Sequence, residues 1–144
     1  MVADILLAFP IKAPPLVVFD AMTSPDGLNS WWTLDALGEA TLGASYALGF
    51  GLATPWRALV TRCERPFFFE WTMLASDADW VDTRVGIQLS ETAFGTQVEF
   101  YHRGWRTDNE HFRGSSYCWA TYLRILKRSV ELGEFIPYHQ RDDA

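Results

Sequence analysis

The segment Thr96–Gly133, TQVEFYHRGWRTDNEHFRGSSYCWATYLRILKRSVELG, changes period partway along, and that change decides the fold. In its first part Val98, Phe100 and His102 alternate with Glu99, Tyr101 and Arg103. This is the period of a strand with one buried and one wet face. Further on, Phe112, Ser116, Trp119, Leu123, Leu126 and Val130 recur at alternating steps of four and three. They draw one stripe along a long helix. TDNE (Thr107 to Glu110) reads as a capping box at its start, and Gly133 as the residue that stops it. Arg124, Lys127, Arg128 and Glu131 lie off the stripe and form a solvated face.

Further strands precede this segment. Residues 4–11 alternate Ile5, Leu7, Phe9 and Ile11. ASYALGFG (44–51), PWRALVTR (55–62), RPFFFEWTM (65–73) and WVDTRVGIQL (80–89) carry the same period of two. In the third of these, Phe67, Phe69 and Trp71 oppose Phe68, Glu70 and Thr72. In the fourth, Val81, Thr83, Val85, Ile87 and Leu89 oppose Asp82, Arg84 and Gln88. Two short helices fall between the first strand and the rest. APPLVVFDAM sets Val17, Val18 and Ala21 on one face, and Ser24 caps a second helix that has Pro25 and Asp26 in its first turn. The pair ends near Trp31 and Trp32. The order is strand, two short helices, about six strands, long helix, with no repeat or linker. The fold class is therefore α+β, an antiparallel meander whose inner face is covered by one helix. A sheet curved around a single helix leaves room for a cavity, and an aromatic inner face suits one.

Composition narrows the function classes. The chain has 144 residues, 49% hydrophobic and 15% aromatic, including seven Trp and ten Phe. One domain spanning 1–144 is expected, with a core over about 4–133 and a tail over 134–144. A net charge of -6 argues against a nucleic-acid footprint or an anionic membrane surface. The opening MVADILLAFPIK lacks the basic start of a secretory leader, and no apolar run reaches membrane-spanning length. Cys63 and Cys118 form no metal or redox spacing, read as small buried hydrophobes, and fit a reduced, cytoplasmic setting. Neither His102, His111 nor His139 is spaced for a metal, so no metal and no cofactor is expected. No nucleophile elbow, phosphate loop or dinucleotide fingerprint is present, so no catalytic residue is assigned.

Four blocks, APPLVVFDAMTSPDGLNSWW, GASYALGFG, TQVEFYHRGW and WATYLRILKRSVELGE, resemble successive parts of the START-like (SRPBCC), helix-grip superfamily. Within it they resemble the branch of homologues of the activator of heat-shock-protein ATPase. The resemblance runs over roughly residues 4–133 and rests on block order, the Trp-Trp pair and the pattern T-x-V-x-F-x-H-x-G. It implies a seven-stranded sheet wrapped around the C-terminal helix, with a hydrophobic cavity between them and no shared catalytic residue.

The expected function is binding of a small hydrophobic or aromatic molecule in that cavity. Strand phase and helix stripe select its lining: Trp32, Phe69, Trp71, Thr83, Val85, Phe100, His102, Ser116, Trp119 and Leu123. His102 is the main polar candidate, either a core histidine or a ligand anchor, with Ser116 as its expected partner. The alternatives are a cyclase-type enzyme using His102 as acid/base, and a chaperone ATPase co-activator working through its surface. A homodimer stays open.

Overall fold

Seven strands pair antiparallel throughout, in the order β1-β7-β6-β5-β4-β3-β2, forming one open sheet. The computed structural model describes residues 2–144. The strands are β1 (Ala3–Ile11), β2 (Asp35–Leu37), β3 (Ser45–Gly49), β4 (Trp56–Glu64), β5 (Phe68–Ala75), β6 (Arg84–Thr92) and β7 (Gly95–Trp105). Helices α1 (Pro15–Thr23) and α2 (Pro25–Leu28) follow β1, and α3 (Glu110–Leu132) follows β7. The architecture is the α+β arrangement, one helix covering an antiparallel sheet, that the period change implies, and it is the helix grip that the resemblance implies. With 23 residues, α3 is about 35 Å long, enough to cross the whole sheet.

Each element forms for a local reason. Ser24 accepts a hydrogen bond from the Gly27 amide at 3.0 Å and starts α2, with Pro25 in the first turn. Tyr46, on β3, donates from its hydroxyl to the Thr23 carbonyl at 2.7 Å and ties the helix pair to the sheet. On the inner face Ile5, Phe69, Trp71, Val85, Ile87, Val98 and Phe100 are buried against Trp119, Leu123 and Leu126 of α3. Gly133 ends α3 in the left-handed conformation at φ 70°, which only glycine adopts at no steric cost.

Several boundaries differ from the sequence expectation. Asn109 caps α3, its side chain accepting from the Phe112 amide at 2.9 Å, and Thr107 lies outside the helix. Both residue types suit that position, so pattern alone does not choose between them. β6 begins at Arg84, because Ala78–Trp80 form a 3-10 turn and Asp82 takes φ 68°. Phe67 is exposed ahead of β5, and Val17 is exposed while Val18, Phe19 and Met22 are buried. Cys63 is half-buried and Cys118 exposed, so neither is the buried hydrophobe expected. Cys118 precedes Trp119 by one residue and is therefore rotated off the buried stripe.

Tyr101 is the clearest departure. Its phase places it on the outer face, yet it is only 9% exposed. Opposite it in β6 stands Gly86, and a Cβ built there would overlap the Tyr101 ring. Glycine leaves a notch that the ring fills, while the Tyr101 hydroxyl donates to Glu70 and Arg103 stacks on the ring at 4.7 Å. Burial and the Glu70 carboxylate push the Tyr101 pKa up.

Gly86→Ala should therefore cost about 1–3 kcal/mol, the usual range for overpacking. In a Tyr101→Ala background the same substitution should cost much less, since the overlap is gone. Denaturant melts of the four chains in this cycle measure the coupling directly.

Candidate functional site

All seven tryptophans of the chain belong to one network of touching rings. Trp31 and Trp32 come from the turn after α2, Trp56 from the start of β4, Trp71 from β5 and Trp105 from the end of β7. Trp80 is delivered by the 3-10 turn and Trp119 by mid-α3. Trp32 lies at the centre, with ring centroids 4.9 Å from Trp119, 5.2 Å from Phe50 and 5.9 Å from Trp71.

This ring volume changes the expected cavity. Phe69, Trp71, Val85, Phe100 and Trp119 do surround a space between sheet and helix, but its volume is only about 20 Å³. That is room for one water and for no organic ligand. The interior at this level is packed core.

A concavity with room for an organic molecule lies at the end of the grip, a groove of about 420 Å³. Trp32, Phe50, Trp56, Trp80 and Trp119 supply its aromatic wall. Asp77, His111, Ser115 and Tyr122 supply polar groups. Trp56 and Phe50 are half-buried and present most of the ring surface. Trp80 is 7% exposed, and its indole N–H has no acceptor among the described residues.

His102 sits beneath this wall, fully buried, in a hydrogen-bond chain whose polarity is determined. An indole N–H can only donate, so Trp119 Nε1 donates to His102 Nδ1 at 3.1 Å. The neutral imidazole then carries its proton on Nε2 and donates to Thr83 Oγ1 at 2.8 Å. The Thr83 hydroxyl in turn donates to the Trp80 carbonyl at 2.5 Å. Thus α3, β7 and the loop before β6 are joined by three consecutive bonds. An imidazolium would face the Trp119 donor with a second donor. Burial, with a smaller contribution from His111, accordingly pulls the His102 pKa down to about 3.

A second polar cluster holds the 3-10 turn to the start of α3. His111 Nδ1 lies 2.9 Å from Asp79 Oδ2, and Asn109 donates to the same oxygen at 3.4 Å. The His111 bond holds the Asp79 carboxyl below the usual carboxylate range. Asp77 approaches the other ring nitrogen of His111 at 3.8 Å.

On the opposite side the C-terminal tail straps the groove wall. Arg141, 2% exposed, donates to three backbone carbonyls: Asn29 at 2.6 Å, Ile136 at 2.9 Å and Thr33 at 3.1 Å. Asn29 and Thr33 bracket Trp31 and Trp32. The Tyr138 hydroxyl donates to the Phe50 carbonyl at 3.1 Å, and Tyr122 donates to Asp142 at 2.7 Å.

The residues selected from sequence are therefore divided. Trp32 and Trp119 reach the groove, while Phe69, Trp71, Val85 and Phe100 line the small void. Thr83 and His102 are sealed by their own hydrogen bonds. Leu123 lines a different groove, of about 330 Å³, between β1 and α3. Ser116 is half-buried and is not the partner of His102; Thr83 and Trp119 take that role. Ser115, one position earlier, is the buried serine. Phe50, Trp56, Asp77, Trp80, His111, Ser115 and Tyr122 line the groove and lie outside the lining that strand phase and helix stripe select. Period-two alternation gives no warning that WVD is a turn, and nothing local tells that Tyr122 and Phe50 line one groove.

The sequence model of the family described as "Activator of Hsp90 ATPase homolog 1-like protein" matches residues 12–131. No curated protein matches the chain by sequence. Among solved structures the chain is similar to the Aha1 dimer from Colwellia psychrerythraea, at 28% identity and a TM-score of 0.82. That match covers 92% of this chain and 98% of the other. A protein from Staphylococcus saprophyticus is similar at 22% identity and TM-score 0.80, with 93% and 96% covered. DynU16, a protein of the dynemicin biosynthetic locus, is similar at 21% identity and TM-score 0.76, with 91% of this chain and 48% of that chain covered. No helix among the described residues is long and apolar enough to cross a membrane.

Two outcomes follow from the bonding. His102→Leu should cost about 1–3 kcal/mol at pH 7, mainly by orphaning the Trp119 N–H. His102 is held far below its ordinary 6.5 in the folded chain, so the unfolded chain binds its proton first. Its stabilisation is complete above pH 6.5 and is lost as pH falls toward 3, so the wild-type advantage should narrow between pH 6.5 and 4 in urea melts. Arg141→Met should cost about 2–3 kcal/mol by leaving the Asn29 and Thr33 carbonyls unpaired. Hydrogen exchange should then speed up in both the tail and the Trp31–Trp32 turn.

Proposed function

The chain belongs to the activator of Hsp90 ATPase homolog 1-like family, and from that premise we propose that it binds a small hydrophobic or aromatic molecule. The observation that carries this reading is the groove of about 420 Å³ walled by Trp32, Phe50, Trp56, Trp80 and Trp119. Its volume lies within the span of small-molecule sites, and a few polar groups converge on a largely apolar wall. The fold is compatible with ligand binding, and the likeness to DynU16, from the dynemicin biosynthetic locus, lends support at the level of fold.

The groove replaces the internal cavity as the binding place, because the interior void holds no organic molecule. Of the expected lining residues, Trp32 and Trp119 carry over to it. His102 is not its acid/base. Both ring nitrogens are engaged inside the core, and its pKa of about 3 leaves it neutral where a histidine ordinarily shuttles protons. The reading is accordingly of a binding protein rather than an enzyme.

A homodimer is the assembly that fits best, since the relative from Colwellia psychrerythraea is described as a dimer. A chaperone ATPase co-activator is the second reading, favoured by the family's name and by that relative's. It would act through the outer surface and leave the groove unused. A cytoplasmic setting suits either role.

A ligand at a hundred times its dissociation constant should stabilise the fold by about 2.7 kcal/mol. For a chain of this size that raises the melting temperature by roughly 5–10 °C. A thermal-shift screen of aromatic and aliphatic compounds, with native mass spectrometry of freshly purified protein, measures it. Trp56→Ala should abolish the shift, while the unliganded chain, less stable for the lost ring packing, still melts cooperatively. Flat melts across the screen together with an empty native mass spectrum would overturn the reading.

A further inference from the structure

The aromatic groove carries a charge pattern as well as a shape. Its lining includes one carboxylate, Asp77, and neither lysine nor arginine. His111 does not reverse the sign. It stands between Asp79, 2.9 Å from Nδ1, and Asp77, 3.8 Å from Nε2, so even a protonated ring is outnumbered two to one. Arg106 acts electrostatically on Asp79 without joining the groove's lining.

Beside Asp77 four rings close a circuit. Centroids are 5.2 Å apart for Trp32–Phe50, 4.9 Å for Phe50–Trp56, 5.1 Å for Trp56–Trp80 and 6.5 Å for Trp32–Trp80. Ring faces carry the negative lobe of the aromatic quadrupole, so they attract a cation in the same direction as the carboxylate. A carboxylate ligand would meet repulsion from both. The net charge of -6 adds a long-range field of the same sign.

On the groove-binding reading above, we infer that the ligand is an organic cation, an amine or quaternary ammonium on an apolar or aromatic body. Asp77 is its counter-ion, and Trp56 and Phe50 supply the ring faces. The buried rings of Trp32, Trp80 and Trp119 form the floor and hold these faces in place. Asp77 has 59% of its side chain exposed, so its attraction for the ligand gains strength only as the ligand displaces water.

The test is calorimetric titration of the full chain with three probes that share a benzyl group: benzyltrimethylammonium, its neutral carbon isostere neopentylbenzene, and the smaller anion phenylacetate. The cation should bind about tenfold tighter than the isostere, and phenylacetate should be weakest. Added salt should weaken the cation alone. Asp77→Asn should bring the cation within about threefold of the isostere while leaving isostere affinity within about twofold. Trp56→Ala should weaken both. An isostere bound as tightly as the cation, or a preference that survives Asp77→Asn, overturns the cation inference and leaves the groove reading standing. Binding of neither ion at millimolar concentration, nor of the isostere up to its solubility limit, overturns both.

Discussion

The bond from the Trp119 indole to His102 is the interaction on which the rest of the grip depends. It links the one long helix to the strand at the middle of its path. Through Thr83 it then reaches the carbonyl of Trp80 in the loop before β6. Each donor in this chain has a single acceptor, and each is buried, so breaking any link strands a polar atom in a dry interior. Helix, strand and loop are therefore held in one relative position. That position sets where the ring of Trp80 meets the rings of Trp32, Trp56 and Trp119.

The second determinant is volume. A sheet wrapped on a helix encloses space only if its side chains leave some, and here six buried tryptophans with Phe69, Phe100 and Tyr46 fill it. What remains inside is about 20 Å³. The ring network nevertheless runs on beyond the packed region to the end of the grip. There Trp56 and Phe50 are half-buried, with no further layer above them. Core and groove are thus one continuous aromatic cluster, sealed where α3 covers it and open where α3 starts. The tail closes the far side, with a buried guanidinium that draws three carbonyls together around the Trp31–Trp32 turn.

Family and fold were legible in the chain because both rest on local periodicity. The alternation through Val98, Phe100 and His102 and the stripe through Trp119, Leu123 and Leu126 are one-dimensional signals, and the sheet and helix they predict are present. The inward phase of His102 was legible for the same reason. Its partner was not. Ser116 lies on the same stripe, and nothing in the pattern distinguishes it from Trp119, three residues on, as a donor to an inward imidazole. The site was less legible still. Asp77, Trp80 and His111 come from a turn and a helix start, where no period exists to read, and WVDTRV mimics a strand up to the positive φ of Asp82.

By itself, then, the sequence determined which faces are apolar and in what order the main elements follow one another, and hence the family. These follow from side-chain spacing against backbone geometry, which acts over a few residues. Only the tertiary structure decided whether the grip is hollow, which tautomer His102 holds, and which rings reach water. Those depend on how side chains far apart in the chain share a fixed volume and a limited set of acceptors. Spacing along one segment carries no record of the volume or hydrogen-bonding groups that another segment brings to meet it.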